Sequence, residues 1–142
     1  MLNKNELRLG NLVNEEVLGN VIISELSENM CCVDVNNLTS ENKIEIVKYH
    51  LNYDSINPIQ ITEDWLYRFS FERKGDGFYY LDIGNDTMIT SGGKEFWVDK
   101  IVEGIDVSVG LSGGNTVHQL QNLYYAMTNK ELILRNYLSF TY

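Results

Sequence analysis

Apolar positions in the first third of the chain alternate or cluster over short distances, the spacing of strands rather than helices. Glu6 to Val13, ELRLGNLV, places Leu7, Leu9 and Leu12-Val13 around a glycine and predicts a short strand with a bend at Gly10-Asn11. Val17 to Leu26 and Met30 to Val35 follow as β-branched runs, separated by the turn Ser27-Glu28-Asn29. Asn36 to Asn42 reads as a loop, and Lys43 to Tyr49, KIEIVKY, sets Ile44, Ile46 and Tyr49 toward one side of a further strand. These residues predict a small curled antiparallel sheet.

Asn57-Pro58 interrupts the pattern. Thr62 then stands where a helix cap belongs, with Glu63 and Asp64 in the first turn, so Thr62 to Phe69 predicts a short helix anchored by Trp65. From Phe71 to Val109 the strand pattern returns in four runs: Phe78 to Ile83, Thr87 to Thr90, Phe96 to Val102 and Ile105 to Val109. The separators carry the Gly, Asn and Asp that tight hairpins use for positive φ. A glycine-rich connector, Gly110 to Gly114, leads to a helix over Asn115 to Thr128, and Glu131 to Tyr137 ends the chain as a last strand or extended tail. The order implies an α+β fold: a curled N-terminal antiparallel sheet, a short helix, an antiparallel meander and one C-terminal helix packed on the sheet. The 142 residues suit a single domain, with an N-terminal β subregion to about residue 57 and the meander and terminal helix from about residue 58.

The terminal helix, NTVHQLQNLYYAMT, contains no Asp, Glu, Lys or Arg, although 22% of the chain is charged. Val117, Leu120, Leu123, Tyr124 and Met127 form one apolar stripe at helical spacing. His118, Gln121, Asn122 and Tyr125 share the opposite side. An imidazole, carboxamides and a phenol donate and accept hydrogen bonds without fixed charge, as a site that reads a base edge or a ribose would. The same groups would equally hold the helix to neighbouring loops or lie in a homodimer contact.

Charge narrows the partners. The chain carries 20 acidic against 11 basic residues, a formal net charge of -9, which disfavours nonspecific nucleic-acid binding. Arg68, Arg73 and Lys74 form the best local nucleus for an anion site. Ser112, Gly113, Gly114 and Asn115 would present backbone N–H groups at the start of the terminal helix, and TSGGK (Thr90 to Lys94) would bring a lysine beside a second glycine-rich turn. Neither is a Walker A or a GxGxxG loop. Of Tyr79-Tyr80 and Phe96-Trp97, one member of each pair is expected in the core and the other free to line a pocket.

Catalytic and metal-binding patterns are missing from the sequence. His50 and His118 stand in no nucleophile-elbow or papain-like context, and no HxH or HExxH occurs. Cys31 and Cys32 are adjacent, so on a strand they point to opposite faces and are expected as reduced thiols of a cytosolic protein. No secretory h-region and no apolar run near membrane-spanning length is present, so no membrane association is expected. The reading is of a non-enzymatic protein without cofactor or metal.

ELRLGNLV, PIQITEDWLYRFSF (Pro58 to Phe71) and VHQLQNLYYAMTNKEL (Val117 to Leu132), about 38 residues in all, together resemble a family of small proteins encoded by phages, prophages and related mobile elements. Its members begin with an ELRIGNLV-like strand, carry a PIxLTEEWLxxxGF-like middle and end in a VHxLQNLYFALTGEEL-like helix. This sequence departs from that pattern at Ser70, where a glycine is usual, and at Asn129-Lys130, which replace Gly-Glu; the Gly110 to Asn115 connector is also longer. Asn129 still suits a helix C-cap. The family has no established biochemical activity, so the resemblance implies an accessory role in a host cytosol and transfers no catalytic residues. Residues and resemblance together suggest a homo-oligomeric binding protein that sequesters a small polar ligand such as a nucleotide signal. Its site would draw on His118, Gln121, Asn122 and Tyr125, the connector residues Ser112 to Asn115, Arg68 and Trp97. The alternatives are a module that inhibits a host protein through its acidic surface and, less favoured, a nucleotide-processing enzyme.

Overall fold

The structure, a computed structural model, describes residues 2–135. It is α+β, and two compact units make up the chain, one extending to Ile59 and one beginning at Gln60.

The first unit is a five-stranded antiparallel sheet: β1 (Leu12–Glu15), β2 (Gly19–Leu26), β3 (Met30–Leu38), β4 (Ile44–Asn52) and β5 (Ile56–Asn57), in the order β4-β3-β2-β1-β5. Alternation places Val13, Val21, Ile23, Cys31, Val33 and Ile56 in one core, joined by Leu7. The ELRLGNLV stretch is not a bent strand throughout. Lys4–Glu6 forms a 3-10 turn capped by Asn3, and strand geometry begins only at Leu12. The reason lies in Asn11, which is fully buried. Its side-chain oxygen accepts from the Arg8 amide at 2.7 Å and its carbonyl accepts from the Ile23 amide at 2.9 Å, closing a local turn in place of extended backbone. Strand β3 also runs further than the sequence pattern indicates, through Leu38, because each residue from Met30 to Leu38 pairs with β4.

The second unit is also a five-stranded antiparallel sheet, with strands in sequence order: β6 (Glu72–Arg73), β7 (Tyr79–Gly84), β8 (Thr87–Ser91), β9 (Phe96–Val102) and β10 (Ile105–Gly114). Helix α1 (Glu63–Arg68) precedes it and α2 (Val117–Thr128) follows. The register sets Tyr79 opposite Ser91, Ile89 opposite Val98 and Ser91 opposite Phe96, so these residues share one buried face. Trp65 and Leu66 of α1, Phe69, Phe71, and Val117 and Leu120 of α2 are buried as well, and α2 packs against β7 and β10.

Two left-handed residues end the helical segments. Asn129, at φ 59°, is the C-cap of α2, and its amide donates to the Tyr125 carbonyl at 2.8 Å. Ser70, just after α1, adopts φ 71°, a left-handed conformation that glycine takes without a Cβ penalty. After α2, Leu132 is buried and the chain has no regular structure over residues 131–134. Arg135 then donates from its amide to the Arg68 carbonyl at 2.5 Å and from its guanidinium to the Tyr67 carbonyl at 3.1 Å. The last two residues of the expected terminal strand, 136 and 137, lie outside the described residues.

Candidate functional site

Residues 110–114 are not a loop. Strand β10 continues to Gly114, with Ser112 opposite Trp97 and Gly114 opposite Phe96 across two register shifts. The turn to α2 is therefore compressed into Asn115 and Thr116, and a capping box fills it. Thr116 Oγ1 accepts from the Gln119 amide at 3.4 Å, while Gln119 Oε1 accepts from the amides of Asn115 at 3.1 Å and Thr116 at 3.2 Å. The Asn115 amide, expected to face an anion, is thus occupied from within, as is that of Thr116. Gly114 belongs to the same device. It sits at φ 106°, and a Cβ there would lie 2.2 Å from Gln119 Oε1.

The polar side of α2 divides along its length. His118 and Gln121 are buried together with Val117 and Leu120, and His118 Nδ1 lies 3.3 Å from Thr116 Oγ1. Asn122 is half-buried, whereas Tyr125 is 38% and Met127 40% exposed. Burial thus follows position along the helix and not only its face, because the first turns start against the end of β10. Two of the four expected ligand readers lie inside the fold, and Met127 of the expected core stripe lies at the surface.

A cleft of about 500 Å3 opens beside this turn, lined by Gln60, Ile61, Thr62, Glu63, Gly93, Lys94 and Asn115. Three segments distant in sequence meet there. Gln60 bridges to Thr116, and the Ile61 amide donates to the Asn115 carbonyl at 2.9 Å, which fixes the lead-in to α1 alongside the lead-in to α2. The third wall is the β8–β9 turn. Ser91 Oγ donates to the Glu95 carbonyl at 2.5 Å and accepts from the Gly93 amide at 3.0 Å, setting the turn that carries Lys94. Ile61 supplies a buried apolar floor, while Gln60, Glu63, Lys94 and Asn115 are exposed at the rim. Burial, and then the nearby Glu63 carboxylate, push the Tyr79 phenol above the usual tyrosine range. Tyr79 is itself only 5% exposed.

Of the residues expected in a site, Asn115 lines this cleft and Gly114 adjoins it in the chain. Arg68 and Trp97 are placed elsewhere. Arg68 pairs with Asp64 at 3.0 Å and lies over the Trp65 ring, 5.1 Å from its centroid. Trp97 is on the opposite side of the sheet from Phe96, with its indole N–H donating to Asp99 at 3.1 Å and its ring edge-on to Phe78. Arg73 and Lys74 lie over the rings of Tyr79 and Tyr80, so the three cations expected to form one anion site are each engaged by an aromatic side chain. Tyr79 and Phe96 are the core members of their pairs; Tyr80 and Trp97 are half-buried. Gln60, Thr62 and Glu63 were hidden because the sequence reads them only as the approach to a helix. Lys94 was visible in TSGGK, but its neighbours are set by the bridge to Thr116, which no local pattern encodes.

The two cysteines have different surroundings. Cys31 belongs to the core of the first unit, and burial raises its pKa. Cys32, on the other face, has its sulfur 3.1 Å from His50 Nδ1 and 3.5 Å from a Glu25 carboxylate oxygen. Burial first, and then the Glu25 carboxylate, push that thiol's pKa up, away from the thiolate that a nucleophile needs. Among the described residues no three His, Cys, Asp or Glu side chains are arranged to hold a metal ion, and no helix is long and apolar enough to cross a membrane. Comparisons with protein-family models, with curated proteins and with solved structures find no match.

Proposed function

We propose that this protein is a phage-type accessory binding protein that sequesters a small polar, nucleotide-like ligand in the host cytosol, in the service of counter-defence. The observation that carries the reading is the cleft at the start of α2. Its volume of about 500 Å3 falls in the range of small-molecule sites, and it combines an apolar floor with a few polar groups at the rim. Lys94 supplies the cation, and the side chains of Gln60 and Asn115 supply paired donors and acceptors suited to a base edge. The resemblance of the ELRLGNLV, PIQITEDWLYRFSF and VHQLQNLYYAMTNKEL segments to mobile-element proteins supports the phage assignment.

A thermal-shift panel of nucleotides tests the ligand class. A ligand raises the melting temperature and is recovered unchanged after denaturation, whereas an enzyme would return it altered. Lys94→Ala should weaken binding about tenfold, the loss of one charge-assisted contact. Nucleotides that leave the melting curve unmoved while the protein retains a partner from host lysate would replace this reading with the host-protein inhibitor, which rests on the net charge of -9.

A further inference from the structure

The outermost strands of the two sheets are not alike. β5 and β6 have two residues each, and β10 is broken by two register shifts, the short and bulged edges that keep sheets from joining one another. β4 is the exception. It runs nine residues, Ile44–Asn52, with no proline and no register shift against β3. Backbone groups alternate in direction along an antiparallel strand. The Thr39 amide donates to the Lys43 carbonyl at 2.8 Å, so Lys43 faces β3, and by alternation so do Glu45, Val47, Tyr49 and Leu51. The amides and carbonyls of Ile44, Ile46, Lys48 and His50 therefore point away from the sheet, and among the described residues no strand pairs with them. Nothing guards this edge. Lys48, its one lysine, is drawn back to Asp34 at 3.2 Å, and His50 lies against Cys32 at 3.1 Å. Ile44 and Ile46 are 53% and 65% exposed.

We propose that β4 is a self-association edge, pairing antiparallel with β4 of a second copy of this chain about a twofold axis at Val47. Outward residues must meet outward residues, and charge then selects the register. Centring on Ile46 brings Glu45 beside its twin, and centring on Lys48 sets two lysines opposite each other. Centring on Val47 avoids both: Ile46 faces the partner's Lys48, Ile44 faces the partner's His50, and Glu45 faces the partner's Tyr49. About eight interstrand hydrogen bonds result, two for each of four facing pairs. Charge also favours a second copy as the occupant. Residues 41–52 carry Glu41 and Glu45 against Lys43 and Lys48, so the edge is locally neutral in a chain of net charge -9, and self-repulsion is relieved there. On the inner face, half-buried Val47 meets its twin and carries the packing of Val35 and Leu51 across the joint.

Sedimentation velocity of the full chain over a dilution series, with amide hydrogen exchange, tests this. The native chain should form a dimer that dissociates on dilution, with the Ile44, Ile46, Lys48 and His50 amides protected only in the dimer. Ile46→Pro deletes an amide that β3 does not use, so the fold should persist while association weakens about a hundredfold, one donor lost per chain. Ile46→Lys, which sets a charge opposite the partner's Lys48, should abolish the dimer by a second route and decides the matter if the proline variant misfolds. Ile105→Lys is the matched control, on bulged β10 and 66% exposed, and should leave the dimer intact. A native chain that stays monomeric up to about 1 mM overturns the proposal. So does a dimer that survives Ile46→Lys, one that Ile105→Lys disrupts equally, or one whose four outward amides exchange freely.

Discussion

The two units are built from the same number of antiparallel strands, yet they differ in what lies beside the sheet. In the first, one face gathers the Leu7, Val13, Ile23 and Val33 core, and the other carries side chains paired across the strands, such as Asp34 with Lys48 at 3.2 Å and Cys32 with His50. In the second, α2 packs against the sheet, and the lead-ins of α1 and α2 converge on a hairpin turn. A cleft needs walls that are not coplanar. A sheet alone supplies pleats and register; a sheet meeting the start of α2 and the approach to α1 supplies a concavity with backbone-fixed edges.

The sharpest way to break this comparison is to strike each core separately. Phe96→Ala removes a side chain only 1% exposed and should cost about 3–5 kcal/mol; Ile23→Ala, also 1% exposed, should cost about 2–5 kcal/mol. Both tryptophans, Trp65 and Trp97, belong to the second unit, so indole fluorescence reports on that unit by itself. Phe96→Ala is expected to move the fluorescence transition in denaturant. Ile23→Ala should move the far-ultraviolet transition and leave the fluorescence midpoint in place; a shift of both signals would show that the cores unfold as one.

A smaller effect isolates the cleft wall. Thr116→Ala deletes the cap oxygen of α2 and should lower stability by about 0.5–2 kcal/mol, read as a shift of the urea midpoint at constant slope. If the lead-in positions the rim, ligand affinity should fall in the same variant, although no ligand contact is removed.

The smallest expected effect concerns acid. The Asp76 carboxyl is held below its ordinary range, first by the Tyr80 phenol, which donates to it, and then by the Phe78 amide at 2.9 Å. A depressed native pKa contributes stability that is fully present above the unfolded-state value and is lost as pH falls through the native one. Tyr80→Phe should therefore lower the melting temperature slightly at neutral pH and shrink its decline as pH falls, so that native and variant proteins converge in acid. An identical acid profile in the variant would remove Asp76 from the account.

Much of this architecture was legible because it depends on local chemistry. Thr62 caps α1 and Asn129 closes α2 in the left-handed conformation, as their residue types imply, and the Gly, Asn and Asp separators do mark the hairpins of the meander. Legibility failed where a residue's role is assigned by something far away in sequence. Asn11 reads only as a bend within a strand until its contacts with Arg8 and Ile23 are known. His118 and Gln121 read equally as ligand readers, as a dimer contact or as a hold on neighbouring loops until their burial in the first turns of α2 is known. Gln60 carries no pattern at all and Lys94 shows only as the end of TSGGK, because the bridge to Thr116 and the Ser91 turn bring their segments to one place.

Gly114 gives the molecule a marked asymmetry of mutational tolerance. At Gly75 an added Cβ meets nothing within 4 Å and the backbone does not demand a left-handed residue, so a saturation library should recover many substitutions there. At Gly114 every side chain would have to displace the Gln119 carboxamide and also adopt φ 106°. Selection for folding alone should return glycine at 114. Selection for ligand uptake should return Gly114 and Gln119 as a linked pair, so the two screens together would separate what builds the strand-to-helix joint from what the joint is for.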